Sequence, residues 1–408
     1  MTYLQKMEMK QYLSNALECI EFKLIRDRSQ IDDDSISFHP EFAHQIFGEN
    51  ETIFGYKDLQ IRLYYTSGPL NIYMGSKHTS RIDDNQSVGL KSDDIFSSIS
   101  KLLTTGCYYT NIDEFLSKLD KEESFQPYGD KIFSWEIEGD DNSSRTFEIY
   151  ECTIHTPGFV TYHARLQTFL LWFVDAASYI DSSDPNWMFF VCYERYTSSD
   201  GRPRYATVGY TSIYKFFGYP QHIRPRISQM LVLPPFQGMG IGAKFVETVY
   251  NRFKGDPTVI DITVEDPSDD FRRVRNFVDA KLCLDLPEFA PDRLKAGFSK
   301  EMIKAAKTAW KINAKQCRII YEILRLNATN VNQPNEYRDY RLCVKQRLNV
   351  AYHKQKEDLK KMEKKGVDIT AASAMLPSTE EHIEQLKAEY EVQEKEYMRI
   401  IERLKMEQ

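Results

Sequence analysis

The amino-acid sequence predicts an α+β protein, a mixed-sheet core flanked by an N-terminal α+β domain and a C-terminal helical region. Three observations carry that expectation. Apolar residues alternate with a period of two in several runs between Phe133 and Glu265. A strand passes through a glycine-rich loop into a helix between Arg226 and Lys254. Strand signals fade after residue 281, where helical spacing takes over. At roughly 100–200 residues per domain, a chain of 408 residues divides into two or three, with boundaries expected at 1–125, 126–281 and 282–408.

In the first segment, short aromatic and β-branched runs such as Ile61-Arg62-Leu63-Tyr64-Tyr65 lie between Gly, Asn, Asp and Ser clusters, the pattern of small strands between turns. A strand is expected around Phe133 to Ile137, with a turn through Gly139 to Ser144. Leu166, Phe169, Leu170, Phe173 and Ala177 then fall at helical spacing, which buries one face and leaves Asp175 off it. Trp187, Phe189, Val191 and Tyr193 alternate, Ser198-Ser199-Asp200-Gly201 marks a turn, and Tyr205 to Ile213 returns as the second arm of a hairpin. A third strand is expected at Arg226 to Leu233. Thr258 to Glu265 alternates again, Ile260, Ile262 and Val264 on one face and Val259, Asp261, Thr263 and Glu265 on the other. Pro267 ends that strand, and Ser268 is placed to cap a helix starting near Asp269. Near the end, Ser378 and Glu381 have capping-box spacing, and Ile383, Leu386, Tyr390, Tyr397, Ile400 and Leu404 form a stripe in need of a partner face. The preceding stretch, Glu336 to Lys365, is the expected partner.

Composition narrows the function classes. A net charge of −7 argues against a protein whose main task is gripping nucleic acid phosphates and suits a basic ligand. Seven scattered cysteines without a C-x-x-C pair indicate neither a disulfide framework nor a structural zinc site, and imply a reducing compartment. Met1 to Ile20 lacks the apolar run and cleavage site of a secretion signal, and Phe169 to Ile180 is too short to span a bilayer. His39 and His44 have no further ligands at metal spacing, so no metal is expected.

The most informative passage runs from Gln229 through Leu233-Pro234-Pro235-Phe236-Gln237-Gly238-Met239-Gly240-Ile241-Gly242-Ala243 into a helix over Lys244 to Lys254. Glycines let the backbone approach a ligand, and the N–H groups opening a helix favour a phosphate or pyrophosphate. A nucleotide triphosphatase loop is excluded, because Ala243 stands where its second glycine belongs and Phe245 follows Lys244. A dinucleotide fingerprint fits Gly238, Gly240 and Ala243. However, Pro234 to Gln237 separates the strand from the first glycine, and the strand–helix alternation of a doubly wound sheet is missing beyond Cys283. The third option, Gln237-x-x-Gly240-x-Gly242, resembles the coenzyme A pyrophosphate loop of Gcn5-related acetyltransferases, and the order helix, hairpin, strand, loop, helix, strand is similar to theirs.

A lysine amine with a pKa near 10.4 is neutral in only about one copy in a few thousand at pH 7, so attack on a thioester needs a base. Glu265, at a strand end one helix past the glycine loop, is the candidate, with Asp266 and Asp175 in reserve. Backbone N–H groups of Met230 to Val232 are placed to meet the developing oxyanion if a bulge turns them.

Longer blocks sharpen the resemblance. Phe38-His39-Pro40-Glu41-Phe42-Ala43-His44-Gln45-Ile46-Phe47-Gly48, His163-Ala164-Arg165-Leu166-Gln167-Thr168-Phe169-Leu170-Leu171-Trp172-Phe173, Arg226-Ile227-Ser228-Gln229-Met230-Leu231 and Asp261-Ile262-Thr263-Val264-Glu265-Asp266-Pro267-Ser268 resemble the type B histone acetyltransferase catalytic subunit family. The resemblance spans about residues 35 to 350. It implies a Gcn5-related acetyltransferase core, acetyl-CoA as co-substrate without metal, and the N-terminal tail of newly made core histone four as acceptor. It also implies a WD-repeat histone-binding partner, no direct nucleic acid or membrane binding, and a cytoplasmic and nuclear location. Glu265 matches the family's general base. Met230, Leu231, Val232, Gln237, Gly238, Met239, Gly240, Ile241, Gly242 and Ser268 match its coenzyme contacts, and Glu49, Asn50, Glu51, Tyr214, Lys215 and Phe216 its contacts to the histone tail. Asp175 stands where the family pattern implies glutamate. Two competing readings are a non-catalytic histone chaperone that keeps the coenzyme cleft as scaffold, and a dinucleotide-dependent oxidoreductase.

Overall fold

The computed structural model describes residues 9–84, 90–103, 107–139, 144–198, 200–369 and 376–407. The middle of the expected 139–144 turn and Ser199 of the hairpin turn therefore lie outside the described residues. The chain forms two compact units, one of residues 1–216 with 226–245 and one of 217–225 with 246–408.

In the first unit, β1 (Ile20–Ile25), β2 (Gln60–Thr66), β3 (Ile72–Lys77) and β4 (Tyr108–Tyr109) make a sheet in that order. The first pair is parallel, the second antiparallel and the third parallel, so the sheet is mixed. Both faces are covered. The short helix α1 (His44–Phe47) follows β1 in the chain, and α2 (Ile112–Leu119) lays Phe115 and Leu119 against Ile25 and Tyr64. On the other face Phe22 and Tyr65 pack with Phe169, Trp172 and Phe173 at centroid separations of 4.2–6.2 Å.

A larger sheet, most of whose residues belong to this unit, includes in the order β9-β8-β7-β6-β5 the strands β5 (Asp130–Glu138), β6 (Ser144–Thr153), β7 (Trp187–Thr197), β8 (Pro203–Gly218) and β9 (His222–Val232). The alternation in β7 predicts one buried face, but Met188 to Tyr193 are buried on both. The strand is central, and α3 (Phe159–Leu166) sets Phe159 and His163 on Phe189. The β7–β8 register shifts between Cys192 and Tyr193, which leaves Val208 as an extra residue, a β-bulge. The expected 162–177 helix is interrupted by a 3-10 turn at Gln167–Phe169 and ends with α4 (Leu170–Phe173), so Ala177 lies beyond it. The apolar positions Leu166, Phe169, Leu170 and Phe173 are buried.

The helix α5 (Ile241–Phe253) continues from the first unit into the second. There the expected strand over 258–265 is corrected. Only β10 (Thr263–Val264) is a strand, while Val259 bridges to Ile223 and Ile262 to Ile312. Val259 and Ile262, three residues apart, are both buried, because the backbone changes partners midway and a period of two cannot persist across that change. Ser268 does cap α6 (Asp269–Leu284), accepting from the Phe271 N–H at 3.2 Å.

Helices fill the rest, including α7 (Ala314–Ala328), α8 (Pro334–Leu348), α9 (Val350–Lys364) and α10 (Thr379–Met406). The expected 336–365 helix is two helices that meet at Asn349. The capping box at Ser378 and Glu381 forms, and α10 lies along α7, α6 and α8 rather than along the whole preceding stretch. The reason is chemical. α9 has no buried residue and meets α10 only near its start, where His382 stacks on Tyr352 at 3.5 Å, whereas Tyr390, Tyr397, Ile400 and Leu404 of α10 are buried and Ile383 is 59% exposed. Glu322 of α7 anchors the arrangement, fully buried and accepting from Arg318 Nε at 2.9 Å, Arg347 Nε at 2.8 Å and Tyr397 OH at 3.0 Å.

Candidate active site

The glycine loop is positioned by β9. Ile227, Gln229, Leu231 and Leu233 are buried in alternation, which turns Met230 and Val232, half-buried, to the other face. Gln229 is locked on every side. Its N–H donates to Ser212 Oγ at 3.1 Å, its carbonyl accepts from Thr211 Oγ1 at 2.8 Å, and its amide bonds to Tyr210 OH and the Ser178 carbonyl. Beside it, β8 approaches closely at Gly209, where an added Cβ would stand 2.1 Å from the Leu231 oxygen.

Past Leu233 the chain makes a 3-10 turn at Pro234–Phe236, and Gln237 Nε2 reaches back to the Val232 carbonyl at 3.0 Å. Gly238 and Gly240 have φ of 78° and 77°, the left-handed region open to glycine, and α5 starts at Ile241. Left-handed glycines directly before a helix turn successive N–H groups toward one concavity, which suits a diphosphate. Arg145, at the start of β6, reaches this loop from the sheet, with Nη1 3.4 Å from Met239 Sδ. Its Nε donates to Glu194 Oε1 at 2.7 Å, and Glu194 also pairs with Arg26. Burial pushes the Glu194 carboxyl up, but the two guanidiniums outweigh it and hold it below the usual carboxylate value.

Two of the sequence-predicted carboxylates meet around a histidine. Glu51, at φ 49°, accepts through Oε1 from the N–H groups of Ala43 at 2.7 Å and His44 at 3.2 Å. The His44 ring lies between acids, Nδ1 3.8 Å from Glu51 Oε1 and Nε2 3.5 Å from Asp175 Oδ1. Asp175 is 69% exposed just past α4, and Glu49 and Asn50 are exposed in the turn after α1. Tyr214, Lys215 and Phe216 lie near the end of β8. Tyr214 donates to Asp184 at 2.8 Å and packs edge-on against Trp187, Lys215 N–H bonds to the Asn186 carbonyl, and Arg226 covers the Phe216 ring at 4.4 Å. His163 is a core residue. Burial drives its pKa down to about 3, so it stays neutral.

Glu265, Asp266 and Ser268 belong to the second unit. Glu265 follows β10 directly and is exposed, Asp266 has φ 29°, and Ser268 caps α6. Nearby Asp261 is buried and paired with Arg224 at 2.6 Å. The sequence did not single out Arg145, Arg26 or Glu194, and it considered His44 only as a metal ligand, which its spacing excluded. Arg145, Arg26 and Glu194 have no local signal, since their charged partners lie far away along the chain, and for His44 the same holds of Asp175.

Comparison with known proteins gives a consistent result. Residues 12–175 match the family described as Histone acetyl transferase HAT1 N-terminus, and residues 275–326 match Histone acetyltransferase type B catalytic subunit, C-terminal. The histone acetyltransferase type B catalytic subunit of Homo sapiens is 40% identical, covering 98% of this chain and 95% of its own. That of Mycosarcoma maydis is 33% identical, covering 80% and 78%, and one of Dictyostelium discoideum is 33% identical, covering 83% and 72%. An aminoglycoside acetyltransferase structure from a soil metagenomic sample is 18% identical and covers 31% of this chain and 82% of its own. Its TM-score of 0.24 is too slight a likeness to bear on fold or acceptor.

Proposed function

The chain belongs to the histone acetyltransferase type B catalytic subunit family and is an acetyltransferase, and from that premise we propose that it transfers acetyl from acetyl-CoA to lysines near the N-terminus of newly made core histone four. The observation that carries this reading is the 40% identity over 98% of the chain. The left-handed Gly238 and Gly240 ahead of α5 support it locally.

In this reading the loop residues Gln237 to Gly242 hold the coenzyme pyrophosphate, and main-chain groups of Met230 to Val232 bind the acyl arm. Glu49 to Glu51 and Tyr214 to Phe216 hold the basic tail, with Asp175 adding a carboxylate on the exposed side of His44. Glu265 takes the proton from the lysine ammonium, and Asp266 stands next to it in the chain. The neutral amine attacks the thioester carbonyl, a C–N bond forms, and backbone N–H groups steady the oxyanion. The C–S bond then breaks, the attacking nitrogen gives up its second proton to become the neutral amide, and the departing thiolate takes up a proton. The reaction so written needs no metal. A WD-repeat histone-binding subunit is the implied partner, and action on histones before their deposition implies presence in both cytoplasm and nucleus.

The test is mass spectrometry of a histone-four tail peptide incubated with the full chain and acetyl-CoA. Acetylation of the first lysines is expected. Glu265→Gln should lower kcat by ~10²–10⁴-fold while leaving coenzyme affinity unchanged. Normal turnover in that variant removes Glu265 from the role, and an unmodified tail with the native chain removes the acceptor.

A further inference from the structure

Arg145 reaches the glycine loop without belonging to it. Its Nε is spent on Glu194 at 2.7 Å, while Nη1 faces the Met239 sulfur at 3.4 Å. A thioether is a weak acceptor for a guanidinium N–H, far poorer than a phosphate oxygen. The guanidinium carbon lies 5.3 Å from the Phe147 ring centroid and 5.5 Å from that of Phe236, with 32% of the side chain exposed. Arg26 pairs with the same carboxylate, so two guanidiniums share the single charge of Glu194, which is only 4% exposed. A positive charge is therefore left over at the end of the sheet where the loop lies.

We propose that Arg145 is a coenzyme-binding residue, donating through its outer guanidinium edge to a phosphate of acetyl-CoA while Glu194 fixes the direction of the fork. The inference rests on the reading of the loop as an acetyl-CoA site. Its residues share no stretch of chain with the family's loop signature. Glu194 acts as the positioning residue, because a bidentate donor is effective only when its plane is set in advance.

Calorimetric titration of the full chain with acetyl-CoA and with acetyl-3′-dephospho-CoA tests it. Arg145→Gln should weaken acetyl-CoA binding about tenfold, about 1.4 kcal/mol, with KM for a histone-tail peptide unchanged. Equal weakening for both ligands assigns the pyrophosphate as the partner, and weakening for acetyl-CoA alone assigns the 3′-phosphate. Native affinity in Arg145→Gln overturns the proposal, whereas failure of the native chain to bind acetyl-CoA overturns the reading of the loop instead. Should the variant not fold, phenylglyoxal labelling of the native protein replaces it. Acetyl-CoA should shield Arg145 from modification, and equal labelling with and without the coenzyme overturns the assignment.

Discussion

Gly209→Ala isolates the packing that sets the backbone of β9. The added Cβ would stand 2.1 Å from the Leu231 oxygen and 3.0 Å from the Val232 Cα. Because Cβ atoms essentially never approach a heavy atom within 3.0 Å, β8 and β9 must separate by at least 0.9 Å, the difference between 3.0 and 2.1 Å. Backbone atoms on both sides leave no flexible side chain to give way, and Gln229, bonded at both main-chain groups to Thr211 and Ser212, resists the movement. Overpacking of this kind costs about 1–3 kcal/mol. If Met230 to Val232 carry the acyl arm, a displacement near 1 Å should also cost on the order of 10²-fold in turnover. Urea unfolding measures the first quantity, and steady-state kinetics on a histone-tail peptide the second. A variant of native stability and native kcat/KM would refute the close approach. Lost stability with native turnover would refute the role of these three residues but not the packing.

Two further outcomes follow from buried charge. Glu322→Gln leaves Arg318 and Arg347 without their shared carboxylate and should cost about 3 kcal/mol in denaturant unfolding, with faster amide exchange in α10; native stability would show that the carboxylate is not what secures Tyr397. Burial lifts the Glu122 carboxyl from 4.5 to about 7, although Thr66, Asn71, Arg165 and Arg204 pull it down. The folded state thus holds a proton that the unfolded state has released between those pH values, and the stability from that proton is complete below pH 4.5 and lost as pH rises through 7. A shift of this size corresponds to about 3 kcal/mol. Glu122→Gln should flatten the decline in unfolding free energy between pH 5 and 8, and an unchanged slope would assign the titration to another group.

Much of the fold was legible because its determinants are local. The hairpin of β7 and β8, the loop and its helix, the Ser268 cap and the Ser378 capping box each depend on residues within a few positions of one another, so spacing and residue type suffice. The segment at 258–265 failed for the opposite reason. Val259 and Ile262 are buried by different partners, Ile223 and Ile312, and no alternation within the segment encodes a change of neighbour. The break at Asn349 was hidden in a run of helix-forming residues with neither glycine nor proline to mark it.

The same division holds for the site. The sequence by itself determined that a loop through Gly238 and Gly240 leads into α5, because left-handed glycine backbone and a helix start are properties of a short stretch of chain. Only the tertiary structure decided that His44 stands between Glu51 and Asp175, that Arg145 reaches Met239, and that Glu194 divides its charge between Arg145 and Arg26. Charges act through space and across strands, and the positions they join are brought together only when the sheet is assembled.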